Sequence, residues 1–341
     1  MFGLMKKLAK WYLSRPVEYL QGGASGWLTE MDDYSIVTSN SPKAYFNDIF
    51  DKKGIFVIKN PPIEVVDLDL LIPSISTKWI VGIGGGRVND ASKYLAKKAG
   101  KKLCLIPSIL STTSWLNMAI ALRENNKLVF PCEKHANKII IDPSLIQKAP
   151  SYLNVGGIAD LLCCASAIHD WKLDNDLHGT KFSKNGFDAF LTFIDDMVSN
   201  PELFNPFNQK SIEQVYEIFL KALCLCGASA SGRPLEGSEH YMYYYLDEIS
   251  SEKIIHGAII ALTTLISLIL HENMPLFKKL KSFFDKVGIR YKPIDLGLSN
   301  DTIESMLKKM DDFTKDRNLE FTILNKKKNI DVEKLLSTIN A

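Results

Sequence analysis

Apolar positions fall in short runs along the first 145 residues of the chain and recur at helical spacing along the rest. Tyr34–Thr38 reads as a short strand, ended by Ser39-Asn40-Ser41-Pro42, a turn and helix-start signal. Lys43–Phe50 follows as a brief helix, and Gly54–Ile58 as a second strand stopped by Asn60-Pro61-Pro62. Ile63–Leu71 fits an extended or a helical pattern equally well. Trp79–Ile83 is a third strand with a helix, Asn89–Gly100, behind it, and Leu103–Pro107 is a fourth, leading into the polar turn Ser108–Ser114. Lys138–Ile141 is a further strand closed by Asp142-Pro143. Strands alternating with helices predict an α/β domain over residues 1–150, built on a parallel sheet covered on both faces. Ligands of such sheets sit beyond the carboxyl ends of the strands, the edge on which the turns after Ile83 and Pro107 both fall.

From Ser151 the pattern becomes helical: Gly157–Leu173, Gly186–Met197, Ile212–Ala230, Ile255–Leu270, Phe277–Val287, Asn300–Lys308 and Val332–Ile339. Residues 151–341 therefore read as an all-α second domain, and a chain of 341 residues is long enough for two cores. Forty-one basic residues against 39 acidic ones leave no pull toward nucleic acid or an anionic membrane. The six cysteines include no C-x-x-C pair and sit mostly in apolar runs, which points to reduced thiols and a cytoplasmic protein. No run reaches the ~20 apolar residues of a transmembrane segment. The N-terminal MFGLMKKLAKWYLSRP is a basic amphipathic segment that suits a membrane surface or, more simply, packing on its own domain or on a subunit partner.

Two features carry candidate chemistry. The first is Gly84-Gly85-Gly86 between the third strand and its helix, where backbone N–H groups can approach a diphosphate unobstructed by any Cβ. A tight turn with no ligand has the same signature, and both readings stand at this point. The second is Asp160 near the start of a long apolar helix, His240 in Glu236-Gly237-Ser238-Glu239-His240-Tyr241 and His256 opening another apolar helix, three groups that three helices of a bundle could bring to one cation. Singly these are ordinary capping or core residues; together, two imidazoles and a carboxylate with an open fourth position make a catalytic site for a divalent metal. Spacing alone does not bring them together.

The succession GIGGGxxxDxxK, IPSxxST, GxxD, Gly237-Ser238-Glu239-His240 and His256-Gly257 resembles the iron-containing alcohol dehydrogenase superfamily, with its glycerol dehydrogenases and dehydroquinate synthases. Asp170-Trp171-Lys172-Leu173, the GSEH segment and Arg317-x-x-x-Phe321-Thr322-Ile323-Leu324 look most like its glycerol-1-phosphate dehydrogenases. The resemblance implies a dehydroquinate-synthase-like fold. It also implies an NAD or NADP cofactor on Gly84, Gly85, Gly86 and Asp90, with Ser108 and Ser111 holding it from the next turn. Asp160, His240 and His256 match the family's metal ligands, implying zinc, or iron or nickel in its place. The implied reaction is hydride transfer on a small polyol or polyol phosphate whose oxygen the metal stabilises. A homo-oligomer is implied as well.

Departures from the family pattern bear on specificity. Thr113 stands where an aspartate usually touches substrate, Asn117 is the cofactor-contacting residue a little further on, and Tyr244 replaces a second, substrate-facing histidine. Ser39 replaces the acid at the end of the first strand, and losing that carboxylate removes a repulsion against the 2′-phosphate of NADP. Arg233 is the candidate for a substrate phosphate, with Lys172 and Arg123 behind it, and Arg87 follows the three glycines. The alternatives are a dehydroquinate-synthase-like cyclase, disfavoured by Asp160 in place of that group's glutamate, and a non-catalytic nucleotide- or sugar-phosphate-binding homologue.

Overall fold

A computed structural model describes residues 17–43, 45–46, 49, 55–250, 254–327 and 329–341. The N-terminal amphipathic segment and much of the expected Lys43–Phe50 helix lie outside them. The chain divides into two compact units, one ending at Asn154 and the other Val155–Ala341.

In the first unit, six parallel strands form one sheet: β1 (Val17–Tyr19), β2 (Tyr34–Thr38), β3 (Val57–Lys59), β4 (Trp79–Gly84), β5 (Lys102–Pro107) and, after a separate hairpin of β6 (Leu122–Glu124) and β7 (Lys127–Val129), β8 (Lys138–Ile141). The order across the sheet is β1-β8-β5-β4-β2-β3. The central strands are buried apolar runs, as a sheet covered on both sides requires. Helix α1 (Ala24–Glu30) precedes β2, and α2 (Gly86–Lys98) follows β4, facing the core with Val88, Ala91, Tyr94 and Leu95. Asn125 and Asn126, at φ 53° and 63°, make the left-handed two-residue turn of the hairpin. The order reverses at β2: β3 lies on one side of it, β4 and the later strands on the other. This is the switch point at which an open α/β sheet leaves a crevice beyond its carboxyl ends. It falls between Ser39, after β2, and the glycines after β4.

The longer helices from residue 151 onward are α3 (Ser151–Leu162), α4 (Cys164–His178), α5 (Lys184–Val198), α6 (Gln209–Ser229), α7 (Ser238–Ile249), α8 (His256–Leu270), α9 (Met274–Val287), α10 (Asn300–Asp316) and α11 (Val332–Asn340). The first turn of α3 belongs with the sheet, because Asn154 accepts a hydrogen bond from Leu110 N at 2.9 Å and donates to Ile146 O at 3.2 Å. The rest of α3, with α4, forms part of the core of the second unit.

Several boundaries differ from the sequence pattern. The single helix expected at Gly157–Leu173 starts at Ser151, runs to His178 and is broken only at Cys163. The glycines Gly156 and Gly157 hid its beginning. This 28-residue stretch, whose most apolar 18-residue window has a mean hydropathy of 1.4, is also long and apolar enough to cross a membrane, contrary to the expectation that none is. It is a core helix here: 83% of its most apolar window is buried in the protein, and Asp160, Asp170 and Asp174 are buried along it. Helix α2 begins at Gly86, three residues before the apolar pattern does. The short β1 was not expected, and α7, expected only as the helix that carries His240, takes the bounds Ser238–Ile249 that the apolar pattern does not mark.

Candidate metal centre and glycine loop

In the second unit, α3 and α8 meet through two glycines. A Cβ built on Gly257 would overlap the main-chain carbonyl of Gly156, so the helices touch backbone to backbone. Asp160 lies one turn beyond Gly156 and His256 directly precedes Gly257, so this close approach carries the two side chains to each other. His256 Nε2 is 2.9 Å from Asp160 Oδ1, and His240 Nε2, from α7, is 3.5 Å from the same oxygen. One ligand atom from each of the three lies within 4.8 Å of the others. A tetrahedral cation with bonds of about 2.0–2.1 Å needs its ligand atoms only about 3.3 Å apart, so the donor set fits a divalent metal in chemistry and in spacing.

The local electrostatics favour positive charge. Burial alone would raise the Asp160 carboxyl, but the neighbouring His256 and His240 outweigh it and hold the group well below the usual carboxylate range. Burial opposes a charge on His240 as well, yet hydrogen bonds to Asp160 and Glu239 push it up to about 10.

Helix α7 is positioned from a distance. Its N-cap, Gly237, has no side chain to offer. The buried Asp170 of α4 takes that role, accepting from Ser238 N at 2.8 Å, from Ile323 N at 2.8 Å and bonding His271 Nε2 at 2.8 Å. A carboxylate at a helix N-terminus satisfies an orphan donor and the helix dipole together. The Asp170-Trp171 and Phe321-Thr322-Ile323 segments therefore serve as the scaffold of the His240 helix.

Sequence reasoning gave no role at the site to two neighbours of the ligands, Tyr243, read as packing in an aromatic patch after His240, and Glu239 of the GSEH segment. The Tyr243 ring packs edge-on against His256 with centroids 4.3 Å apart. Glu239, fully buried, places Oε1 3.1 Å from His240 Nδ1. Helical spacing from His240 flags Tyr243 and Tyr244 alike, whereas Glu239 is marked only by its place in the Gly237-Ser238-Glu239-His240 segment. Tyr244, expected to reach substrate, is buried, and its hydroxyl donates to Glu236 Oε1 at 2.6 Å. Arg233, the candidate for a substrate phosphate, is committed elsewhere: it donates to Phe321 O at 2.8 Å and Tyr241 Oη at 3.2 Å and lies 4.0 Å from Asp174. Lys172 is exposed and paired with Asp176, and Arg123 bonds Asn126 at 3.1 Å.

In the first unit, register brings three strand ends together. Thr38 pairs with Ile83 and Gly84 with Pro107; Thr38 Oγ1 donates to Ile83 O at 2.9 Å, and Ser108 N to Gly84 O at 3.0 Å. Ser39, Gly84, Gly85, Gly86 and Ser108 thus share one edge of the sheet. Gly86 opens the 13-residue α2, whose first N–H groups have no intrahelical acceptor. A Cβ on Gly85 would come within 2.8 Å of Ile109 Cγ2, so the turn and the segment after β5 are in close contact. Arg87 is exposed. Asp90 pairs with the fully buried Lys93 at 2.7 Å, and Lys93 also binds Ala119 O and, at 3.5 Å, Asn117 Oδ1. Asn117 in turn donates to Thr113 Oγ1 at 2.9 Å. Ser111 is half-buried in the same segment.

Residues 55–150 match the sequence pattern of iron-containing alcohol dehydrogenase. The chain is 30% identical over 253 residues, 73% of its own length and 69% of the relative's, to a glycerol-1-phosphate dehydrogenase (NAD(P)+) of Staphylothermus marinus. It is 25% identical to a protein of the same name from Methanocorpusculum labreanum, covering 72% of this chain and 68% of that one. In fold it is similar to a probable glycerol dehydrogenase from Sinorhizobium meliloti, with TM-score 0.66, 17% identity and coverage of 95% and 96% of the two chains. It is also similar to glycerol dehydrogenase from Schizosaccharomyces pombe, with TM-score 0.64, 19% identity and coverage of 96% and 88%.

Proposed function

Because the chain belongs to the iron-containing alcohol dehydrogenase family, among its glycerol-1-phosphate dehydrogenases, we propose that it is an NAD(P)-linked, divalent-metal-dependent dehydrogenase of a small polyol phosphate. The observation that carries this reading is the convergence of Asp160, His240 and His256 from three helices on one point. A cation held there would stabilise negative charge on the substrate oxygen, while the nicotinamide cofactor carries the hydride.

The residues of the chain supply the rest. One carboxylate and two imidazoles make the ligand set, and zinc is the metal we assign to it, ahead of iron or nickel. Gly84, Gly85 and Gly86 offer main-chain N–H groups to the cofactor diphosphate. Ser108 and Ser111 flank them from the next strand end. Asp90 acts through Lys93, which holds Asn117 and hence Thr113. Ser39 brings no negative charge to the switch point, which favours NADP at least as well as NAD. Tyr244 donates its hydroxyl proton to a hydrogen bond with Glu236 and walls the ligand site beside His240, their rings 6.2 Å apart. Free, mostly buried cysteines support a cytoplasmic setting, and the family likeness supports a homo-oligomer.

The test is metal analysis and NAD(P)H fluorescence quenching on purified protein, followed by a screen of triose phosphates, aldoses and ketoses for NADPH or NADH oxidation with added zinc. Metal near one per chain and turnover of a triose phosphate are expected. Absence of both metal binding and quenching would refute the assignment.

A further inference from the structure

Glu239 is a fully buried carboxyl that the reaction itself does not use. It is held from both sides: Oε1 accepts from Gly237 N at 2.8 Å, and Oε2 accepts from Ser166 Oγ, on α4, at 2.8 Å. The first of these oxygens is also the one 3.1 Å from His240 Nδ1. A carboxylate only accepts, so the proton of a neutral His240 must lie on Nδ1 and its lone pair on Nε2. Nε2 is the nitrogen that faces Asp160 Oδ1, at 3.5 Å.

Resting on the metal-dependent reading above, we infer that Glu239 is a positioning residue: it fixes the Nδ1–H tautomer of His240 and aims Nε2 at the cation. A partner of this kind on the far nitrogen of a ligating histidine orients the ring and is worth about 10–100-fold in metal affinity. Ser166 and Gly237 hold the carboxylate so that it does not follow His240 out of place. Cys163, Glu239 and His240 also form a compact group within 4.8 Å, but as a ligand set it is spent. Its Nδ1 is engaged by Glu239. The Cys163 Sγ lies 3.4 Å from Leu235 O, and burial, reinforced by Glu239, keeps the thiol protonated.

Position and charge separate in two conservative variants. Glu239→Asp keeps the charge but withdraws the acceptor by one methylene. Glu239→Gln loses the charge but keeps a carbonyl oxygen facing Nδ1 and Gly237 N, with its amide group toward Ser166. Zn2+ dissociation constants, measured by chelator competition with the metal alone, and the visible spectra of the Co2+ forms are the readouts. Thermal unfolding of the metal-free proteins controls for folding. We expect Glu239→Asp to bind Zn2+ about 10–100-fold more weakly with an altered Co2+ spectrum, and Glu239→Gln to recover most of that loss. Glu239→Gln as weak as Glu239→Asp, or both at wild-type affinity, overturns the inference. A wild-type protein that binds no Zn2+ would end the metal-dependent reading itself, and so is told apart from either.

Discussion

The contact of Gly257 with Gly156 makes two similar substitutions opposite in effect. A Cβ on Gly257 would stand 2.7 Å from Gly156 Cα and overlap the carbonyl of the same residue. Carbon atoms in ordinary contact are about 3.5–4.0 Å apart, so Gly257→Ala forces α3 and α8 to part by about 1 Å. Main chain cannot rotate aside as a side chain does, and overpacking of this sort costs about 1–3 kcal/mol. The same movement separates His256 from Asp160, now 2.9 Å apart, by several times the roughly 0.2 Å that metal–ligand distances tolerate. Gly156→Ala, by contrast, places its Cβ 3.7 Å from Gly257 Cα, an ordinary contact, and removes a glycine from a helix at a gain of up to about 1 kcal/mol. The assay is metal content per chain and thermal unfolding with and without EDTA. Gly257→Ala should lose metal, and its unfolding should no longer respond to chelator; Gly156→Ala should keep both. Equal behaviour of the two variants would refute the argument that this crossing sets the ligand geometry.

Three further outcomes are expected. His256→Ala should lose metal and turnover while NAD(P)H quenching stays near wild type, and unchanged metal content would remove His256 from the ligand set. Gly85→Val should weaken NAD(P)H binding by pressing on Ile109, 2.8 Å from the position of the first added carbon, with metal content unchanged; wild-type NAD(P)H affinity would contradict that role for the turn. Asp170→Asn should cost about 3 kcal/mol, since an amide cannot accept from two N–H groups and His271 together. Burial raises the Asp170 carboxyl, but the bonds from His271, Ser238 and Ile323 outweigh it and lower the pKa, so its contribution is full above the ordinary carboxylate range and lost as pH falls through the depressed value. Urea unfolding of the chelated protein between pH 5 and pH 2 should therefore show a flatter acid limb in the variant; an unchanged slope would count against it.

Most of the sheet and the glycine turn were legible because both follow from local rules: buried apolar runs make strands, and three glycines before a helical pattern mark a tight strand-to-helix turn. The extent of the His240 helix was not legible. Its sequence, SEHYMYYYLDEI, is rich in aromatic residues of middling helix propensity, and its first residue follows a glycine with no capping side chain. What starts it is Asp170, 68 residues earlier in the chain, and no window of sequence contains both. Arg233 was misjudged for a related reason. Its closeness in sequence to His240 suggested substrate, but Asp174, Tyr241 and Phe321 reach it through the fold. The ligand set fell between these cases: residue types named it, while its convergence depended on a glycine contact 101 positions apart in the chain, between Gly156 and Gly257.

That division explains why the segments most diagnostic of the family are not those touching the ligand atoms alone. A metal site of three residues constrains the sequence at three positions. Holding three helices to within a few tenths of an ångström constrains many more: Gly156 and Gly257 at the crossing, Asp170 under the start of α7, and Ile323 N and Phe321 O where they meet Asp170 and Arg233. These requirements come from main-chain geometry and buried donors, so they do not change with substrate. The departures from the family pattern, at Ser39, Thr113 and Tyr244, fall outside that set of positions. A dehydrogenase built in this way can keep its metal chemistry and its glycine-lined turn while its preference for cofactor phosphate or substrate drifts. Kinetic differences from its relatives are accordingly expected in KM for cofactor and substrate before they are expected in metal content.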